Sequence, residues 1–340
     1  MRKENVDPLT HGLASFALKR GFFPRIPRPV LISMIFAGTL ADLDWLSALF
    51  GPSAFLSWNG GPLHSIAGAI AIGLFVSIVI RTYAKSRGVI LSGVLWWLAP
   101  VCAALLHVAM DTLLSSGVTL LWLISTKRIA LDWAPTFDLS ILILLVVGIF
   151  LPELFRLVSD EIGAKSKKPR GQAGAVVTII LIAAYFVLRG VLHGSATMTM
   201  LERSYAGESP RRAEAFPDSI SPFLWHGIVE TESALHLVQV PTSRLSNFDP
   251  ESAVHIHKPD ASPFLDAAQK TDATRQFLAS ARFPKATMQK QTDGFSVEIR
   301  DLKFDAVGQN SRVVEAEINL DQNSRVVLAH LEWQNQPRKQ

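Results

Sequence analysis

Apolar residues crowd into the first 193 positions of this 340-residue chain, in five runs: Val30–Phe50, Ser65–Ile80, Val89–Leu106, Leu139–Leu151 with an extension to Phe155, and Ala173–Leu188. A helix needs about 20 residues to cross a bilayer, and somewhat fewer where the membrane thins, so each run has spanning or nearly spanning length. From Leu201 onward no such run exists. The pattern predicts a membrane α-helical bundle over residues 1–195, with five spanning helices and a short N-terminal helix that is only partly inserted. A soluble α+β domain over residues 200–340 follows. The one early apolar stretch, Leu13–Leu18, is too short for a cleavable signal and runs straight into Lys19 and Arg20, so the helices are expected to stay in the mature protein.

Charge sets the orientation. The formal net charge is only +4, and the basic residues fall in short segments between apolar runs, with no patch of the size that nucleic acid requires. Lys19, Arg20, Arg25 and Arg28 form one such segment, Arg81, Lys85 and Arg87 a second, and Lys165, Lys167, Lys168 and Arg170 a third. Placing all three in the cytoplasm satisfies the positive-inside bias. Residues 30–50, 89–111 and 173–192 then run outward, 65–80 and 139–157 inward, and the tail lies outside a bacterial inner membrane. The lone cysteine, Cys102, excludes a disulfide within the chain.

On that topology six residues that lipid should reject gather near the outer face: His11, Asp42, Asp44, His64, His107 and Asp111. Intramembrane acids and histidines are functional candidates by default, and this set suits a hard-to-borderline metal ion. His11 reaches that level if residues 9–23 form a short amphipathic helix whose arm, about 20 Å long, descends to the first basic segment, with Lys19 and Arg20 snorkelling.

His107 and Asp111 form an HxxxD pair, one turn apart on one helix face. Asp42 and Asp44 would diverge by about 200° on a regular helix, so either the helix loosens there or one binds metal while the other orients a ligand histidine. Two solvated interfacial acids, and a capping role for Asp111, are the bland alternatives. Asp132 and Asp138 stand before the fourth run, and either could complete the site, with helix capping the natural role of Asp132. Ser65 follows His64, but no GxSxG elbow occurs. His255 and His257 share a strand face; His193, His226 and His236 give no pattern.

Between the runs, Phe50–His64 is rich in Gly, Pro and Asn, which breaks helices on both sides. Thr112–Asp138 carries Val118–Ile124, Trp122 and Trp133 and is expected along the outer interface. In the tail, apolar stretches at Leu224–Val229 and Ala234–Val240, helical spacing at Phe264–Ala281 and alternation at Phe295–Phe304, Val313–Leu320 and Val326–Trp333 predict a small antiparallel sheet with one helix. Asp321, Gln322 and Asn323 mark a hairpin turn.

The order of these motifs resembles the YdjM-like family of inner-membrane proteins, described as membrane-bound metal-dependent hydrolases. The pieces are Asp7-Pro-Leu-Thr-His11-Gly, Ala37-Gly-Thr-Leu-Ala-Asp42-Leu-Asp44, Pro62-Leu-His64-Ser65 and His107-Val-Ala-Met-Asp111 with Gly117 and Leu121-Trp122. Leu131-Asp132-Trp133, Asp138, Pro222-Phe-Leu-Trp225 and Val229-Glu230-Thr231 extend the likeness to about residue 240. Two departures stand out: Ala41 where the family usually has proline, and Asn59-Gly60-Gly61 where it has His-Arg-Gly. The second removes one ligand candidate and one phosphate clamp.

The resemblance implies a bound divalent metal and hydrolysis. The residues suggest His11, His64 and His107 as nitrogen ligands and Asp42 and Asp111 as oxygen ligands of one or two ions, zinc by preference. Asp44 serves as orienting partner or general base, and Asp138 completes the catalytic set. Such a metal would lower the pKa of bound water towards 7 and polarise an ester or phosphoester oxygen. Membrane lipids as partners and an amphiphilic, lipid-like substrate follow from depth alone. Two other readings compete: a proton- or ion-coupled transporter, and a non-catalytic anchor that presents the tail to an envelope partner.

Overall fold

The structure, a computed structural model, describes residues 7–161, 171–243, 247–307 and 312–335. The third basic segment, at 165–170, lies outside the described residues. Contacts divide the chain into two compact units, one of residues 5–44 and 60–190, the other containing 45–59 and 191–340.

The first unit is helical. It holds α1 (Pro8–Phe22), α2 (Arg28–Ala37), α4 (Ile66–Ser86), α5 (Leu95–Thr112), α6 (Leu139–Glu161) and most of α7 (Gln172–Leu201); α3 (Pro52–Trp58) belongs to the second unit. Local chemistry explains where three of these helices start. Asp7 caps α1 by accepting the Thr10 N–H at 3.0 Å, Ser65 caps α4 through the Gly68 N–H at 2.9 Å, and Asp138 caps α6 through Ser140 and Ile141.

Three helices among the described residues, α4, α5 and α7, are long and apolar enough to cross a membrane. The first apolar run is not one straight helix, because α2 stops before Gly38 and a 3-10 run, Leu40–Phe50, continues at a bend of 40°. Counting that pair as one span gives four, and the apolar part of α6, Leu139–Phe155, is shorter than a full span. Three or four spans are thus supported among the described residues, and the expected count of five is not established.

Small side chains let the helices approach, as in other membrane bundles. Gly73 on α4 has Val101 of α5 so close that an added Cβ would lie 2.6 Å from the Val101 Cα. Ala69, Ala99, Ala103 and Ala104 are buried in the same packing, while Phe75, Ile78, Ile143, Phe150, Ile180 and Val187 face outward. An apolar surface of this kind suits lipid. Arg20 does not snorkel as expected: it turns inward from α1 to pair with Glu153 of α6 and donates to the Ile149 carbonyl at 2.8 Å. A partly buried guanidinium with a carboxylate and a carbonyl costs less than one in hydrocarbon alone.

The second unit contains two four-stranded antiparallel sheets, where one small sheet with one helix was expected. In the first, β1 (Arg212–Pro217), β2 (Leu224–Glu230), β3 (Ala234–Pro241) and β4 (Val254–His257) are in order. In the second, β5 (Pro284–Gln291), β6 (Gly294–Asp301), β7 (Arg312–Asp321) and β8 (Val326–Asn335) are in order, with the expected Asp321–Asn323 turn between the last two. The helical spacing at Phe264–Ala281 resolves into α8 (Pro263–Gln269) and α9 (Asp272–Leu278), because the Thr271 hydroxyl accepts the Thr274 N–H at 3.2 Å and starts a new helix. A further short helix, α10 (Leu302–Val307), follows β6.

Residues 45–59 belong to this unit through apolar packing. Phe55 is buried with Val297, Val314 and Ile318 of the second sheet, and its ring centroid is 5.1 Å from that of Trp333. Gln276 of α9 holds the same segment by donating to the Ser53 carbonyl at 2.8 Å and the Ser57 hydroxyl at 3.0 Å. The end of α7 also joins this unit, with Ala196 and Met200 packed against Trp225 and Val229.

Candidate metal centre

Four segments bring the six sequence-predicted His and Asp residues together. α1 supplies His11 from its first turns, the 3-10 run supplies Asp42 and Asp44, and the turn Pro62–His64 supplies His64. α5 supplies His107 and Asp111, whose Nε2 and Oδ2 are 3.2 Å apart across one helical turn. All six are buried, none exposed by more than 8%. Asp42 and Asp44 lie not in a loosened helix but in a tighter 3-10 run, whose three residues per turn reduce the divergence of side chains two apart, and both aspartates approach His64.

The three histidine rings are tilted to one another, by 42° between His11 and His107 and 44° between His64 and His107, yet their Nε2 atoms converge. Nε2 of His11 lies 3.2 Å from Asp111 Oδ1, and Nε2 of His64 lies 3.0 Å from Asp111 Oδ2 and 3.9 Å from Asp42 Oδ1. His107 Nε2 lies 3.7 Å from Asp42 Oδ1. Each of these Nε2 atoms is thus turned to the Asp42 and Asp111 carboxylates. Two rings are steered from behind: His107 Nδ1 meets the Gly38 carbonyl at 3.0 Å, and His64 Nδ1 lies 2.9 Å from Asp44 Oδ2, which also accepts the Gly60 N–H at 2.8 Å.

One ligand atom from each of His11, Asp42, His107 and Asp111 falls within 4.8 Å of the others. Close as they are, His107 Nε2, Asp111 Oδ1 and Asp42 Oδ2 are buried without a hydrogen-bond partner. Buried polar atoms are rarely left so. Imidazole nitrogens and carboxylate oxygens grouped in this way could hold a divalent cation, and the His and Asp donor set fits zinc or a similar ion. Beside His11 and Asp111, a cavity of about 20 Å³ bordered by Thr10, Thr136 and Asp138 has room for one water.

Asp138 borders that cavity, but its oxygens are engaged: one caps α6 and the other accepts the Tyr185 hydroxyl at 2.8 Å. The cap expected at Asp132 is therefore at Asp138, and Asp132 instead is buried in the connection with a positive φ of 57°. Ser65 accepts the Gly68 N–H and donates to the Pro62 carbonyl at 2.7 Å, so its hydroxyl is a helix cap. In the other unit, His255 meets buried His236 across the β3–β4 ladder, Nδ1 to Nδ1 at 2.6 Å, outside any three-ligand group among the described residues. His193 packs on the Trp225 ring, and His226 pairs with Asp218.

Sequence reasoning missed Arg128. Its guanidinium stands over Gly60, where an added Cβ would lie 3.1 Å from Arg128 Nη1 and 2.8 Å from the Gly117 carbonyl. Gly60 also has a φ of +63°, so glycine is required twice over. Burial lowers the Arg128 guanidinium from its ordinary value, opposed by the Asp44 carboxylate. A cation beside the site is thus present at Arg128, although position 60 carries no side chain. The signal in the sequence was the Lys127-Arg128 pair in a connection less polar than a loop usually is.

No curated protein and no solved structure matches this chain. A family model, described as YdjM inner membrane protein, matches residues 6–196 and so covers every residue of the cluster. With more than half of its length matched and its apolar helices in the matched part, the chain belongs to the YdjM family of inner membrane proteins.

Proposed function

We propose that this protein is a metal-dependent hydrolase of the inner membrane that acts on an ester or phosphoester of an amphiphilic substrate. The observation that carries this reading is the convergence of three imidazole Nε2 atoms on two buried carboxylates without hydrogen-bond geometry. His11, His64 and His107 would hold one or two divalent ions by nitrogen, Asp42 and Asp111 by oxygen. When bound, such an ion supplies Lewis acidity and lowers the pKa of coordinated water.

The remaining roles belong to the protein. Asp44 positions the His64 ring through Nδ1 and fixes the Gly60 backbone, an orienting role known to matter for metal sites. Arg128, beside Asp44, offers a cation to an anionic group of the substrate. Asp138 borders the water-sized cavity, where it orders the start of α6 and the Tyr185 hydroxyl. Exposed Trp122, Leu123 and Ile124, at the tip of the connection between α5 and α6, support access from a lipid leaflet, since aromatic and apolar tips favour that interface. The basic segments support an extracytoplasmic tail and site.

Elemental analysis of the detergent-purified protein tests the proposal. The expected result is stoichiometric metal that is lost at the cluster when His107→Ala and Asp111→Ala are combined while the helical far-UV spectrum persists. Metal content unchanged in that variant overturns it. Cation flux into liposomes that responds to Asp42→Asn would instead favour the transporter.

A further inference from the structure

The end of the helical unit that carries the first two basic segments holds a cavity that the metal centre does not use. The end of α1, the start of α2 and the start of α5 border about 730 Å³ of space there, within the roughly 300–1,000 Å³ usual for ligand pockets. Phe22, at its edge, follows His11 by eleven residues of one helix, which is about 16 Å along the axis. From this cavity we infer a binding site for an anionic phospholipid, with an acyl chain against its apolar wall and the headgroup phosphate at Arg25.

Each half of such a lipid finds a match. Ile26, Val30 and Leu91 give the cavity a buried apolar floor, whereas Phe22, Ile90 and Leu95 on its wall are exposed by 58, 86 and 42%. These exposed side chains lie at the ends of helices rather than along them: Phe22 closes α1, Leu95 opens α5, and Ile90 stands in the connection from α4. At the ends of spanning helices, headgroups meet hydrocarbon. A soluble anion gains nothing from an apolar wall, but a lipid chain is removed from water by it.

Charge complementarity selects the headgroup. Arg25 borders the cavity, is exposed, and has no hydrogen-bond or ion-pair partner among the described residues. Arg81 stacks over the Trp96 ring of the wall, 4.2 Å from its centroid, and Lys19 Nζ donates to the carbonyl of Pro24, another wall residue, at 3.2 Å. None of these three cations meets a carboxylate among the described residues, whereas Arg20 has Glu153. Residues 8–41 and 45–110, which supply the whole wall except Gln172, contain no Asp or Glu. The positive charge is therefore left for an external anion to balance, and basic pockets between spanning helices take anionic lipid headgroups. A lipid seated there would tie the connection between α1 and α2 to that between α4 and α5.

Native mass spectrometry of the protein, delipidated in neutral detergent and titrated with dioctanoyl phosphatidylglycerol or dioctanoyl phosphatidylcholine, tests this site. The anionic lipid is expected to bind more tightly, and Arg25→Gln should lower its affinity by about fivefold or more while phosphatidylcholine binding stays the same. Leu95→Asn, at the exposed wall, should weaken both lipids. Lys85→Gln combined with Arg87→Gln, two basic residues outside the wall, should keep the preference, which separates a built site from general attraction to a basic surface. The His107→Ala, Asp111→Ala protein should keep it too, so the result does not depend on the metal centre. Equal binding of the two lipids overturns the inference, as does a preference that survives Arg25→Gln or falls equally in the Lys85, Arg87 variant. Displacement of the lipid by glycerol phosphate, which has the phosphate without the chain, overturns it as well.

Discussion

His64 has two ring nitrogens, and the aspartates two residues apart in the 3-10 run each approach one of them: Asp42 near Nε2, Asp44 at Nδ1. On a regular helix the two side chains would point apart. The 3-10 run Leu40–Phe50, with about three residues per turn, narrows that divergence. Asp44→Asn keeps the shape and removes the charge behind His64, so cation affinity of the cluster should fall by about 10- to 100-fold with little change in folding. Ser65→Ala, one residue from His64, should behave oppositely: about 1 kcal/mol of stability lost with the α4 cap, and cation affinity kept. Isothermal titration and thermal unfolding on the two variants separate these outcomes.

At the scale of the element, α3 is held by Phe55 against the core of the second sheet and by Gln276 along its polar side. Phe55→Ala should cost about 3 kcal/mol or more, read as a lower denaturation midpoint of the tail, whereas a change at exposed Phe50 should be nearly neutral. None of this packing could be read from Phe50–His64, where Gly, Pro and Asn announce turns and only the distant sheet gives Phe55 a partner. The spanning elements were more legible. Hydropathy located α4, α5 and α7 but not all of their ends, since α5 lies six residues later than its run and α7 continues 13 residues past Leu188, and the HxxxD spacing gave His107 and Asp111 their common face. What periodicity could not reveal was the break at Gly38-Thr39, since both residues are tolerated inside apolar helices. Arg128 and Gly60 meet only through tertiary folding, so no local pattern joins them. The cap of α6 was assigned to Asp132 because both aspartates precede the apolar run, and only the backbone N–H groups of Ser140 and Ile141 decide for Asp138.

Across the whole molecule, the tail has its own pH dependence. Burial works to raise the Asp218 carboxyl, but the Ser221 N–H, the His226 ring and the Ile220 N–H outweigh it and hold the group below the ordinary carboxylate value. Unfolding therefore takes up a proton in acid, so this contribution is complete above about pH 4 and is lost as pH falls through the lower folded value. Asp218→Asn should cost about 1–2 kcal/mol near neutrality and progressively less in acid, measurable by denaturant titration at several pH values. The excursion from Trp45 to Asn59 has a different reach. It departs one residue after Asp44 and returns one residue before Gly60, so anything that pulls on the tail is transmitted along covalent bonds to the carboxylate behind His64. Cutting the polypeptide at 196, where the family match ends, would strip the cover from Phe55 and leave that strap loose at both of its anchors.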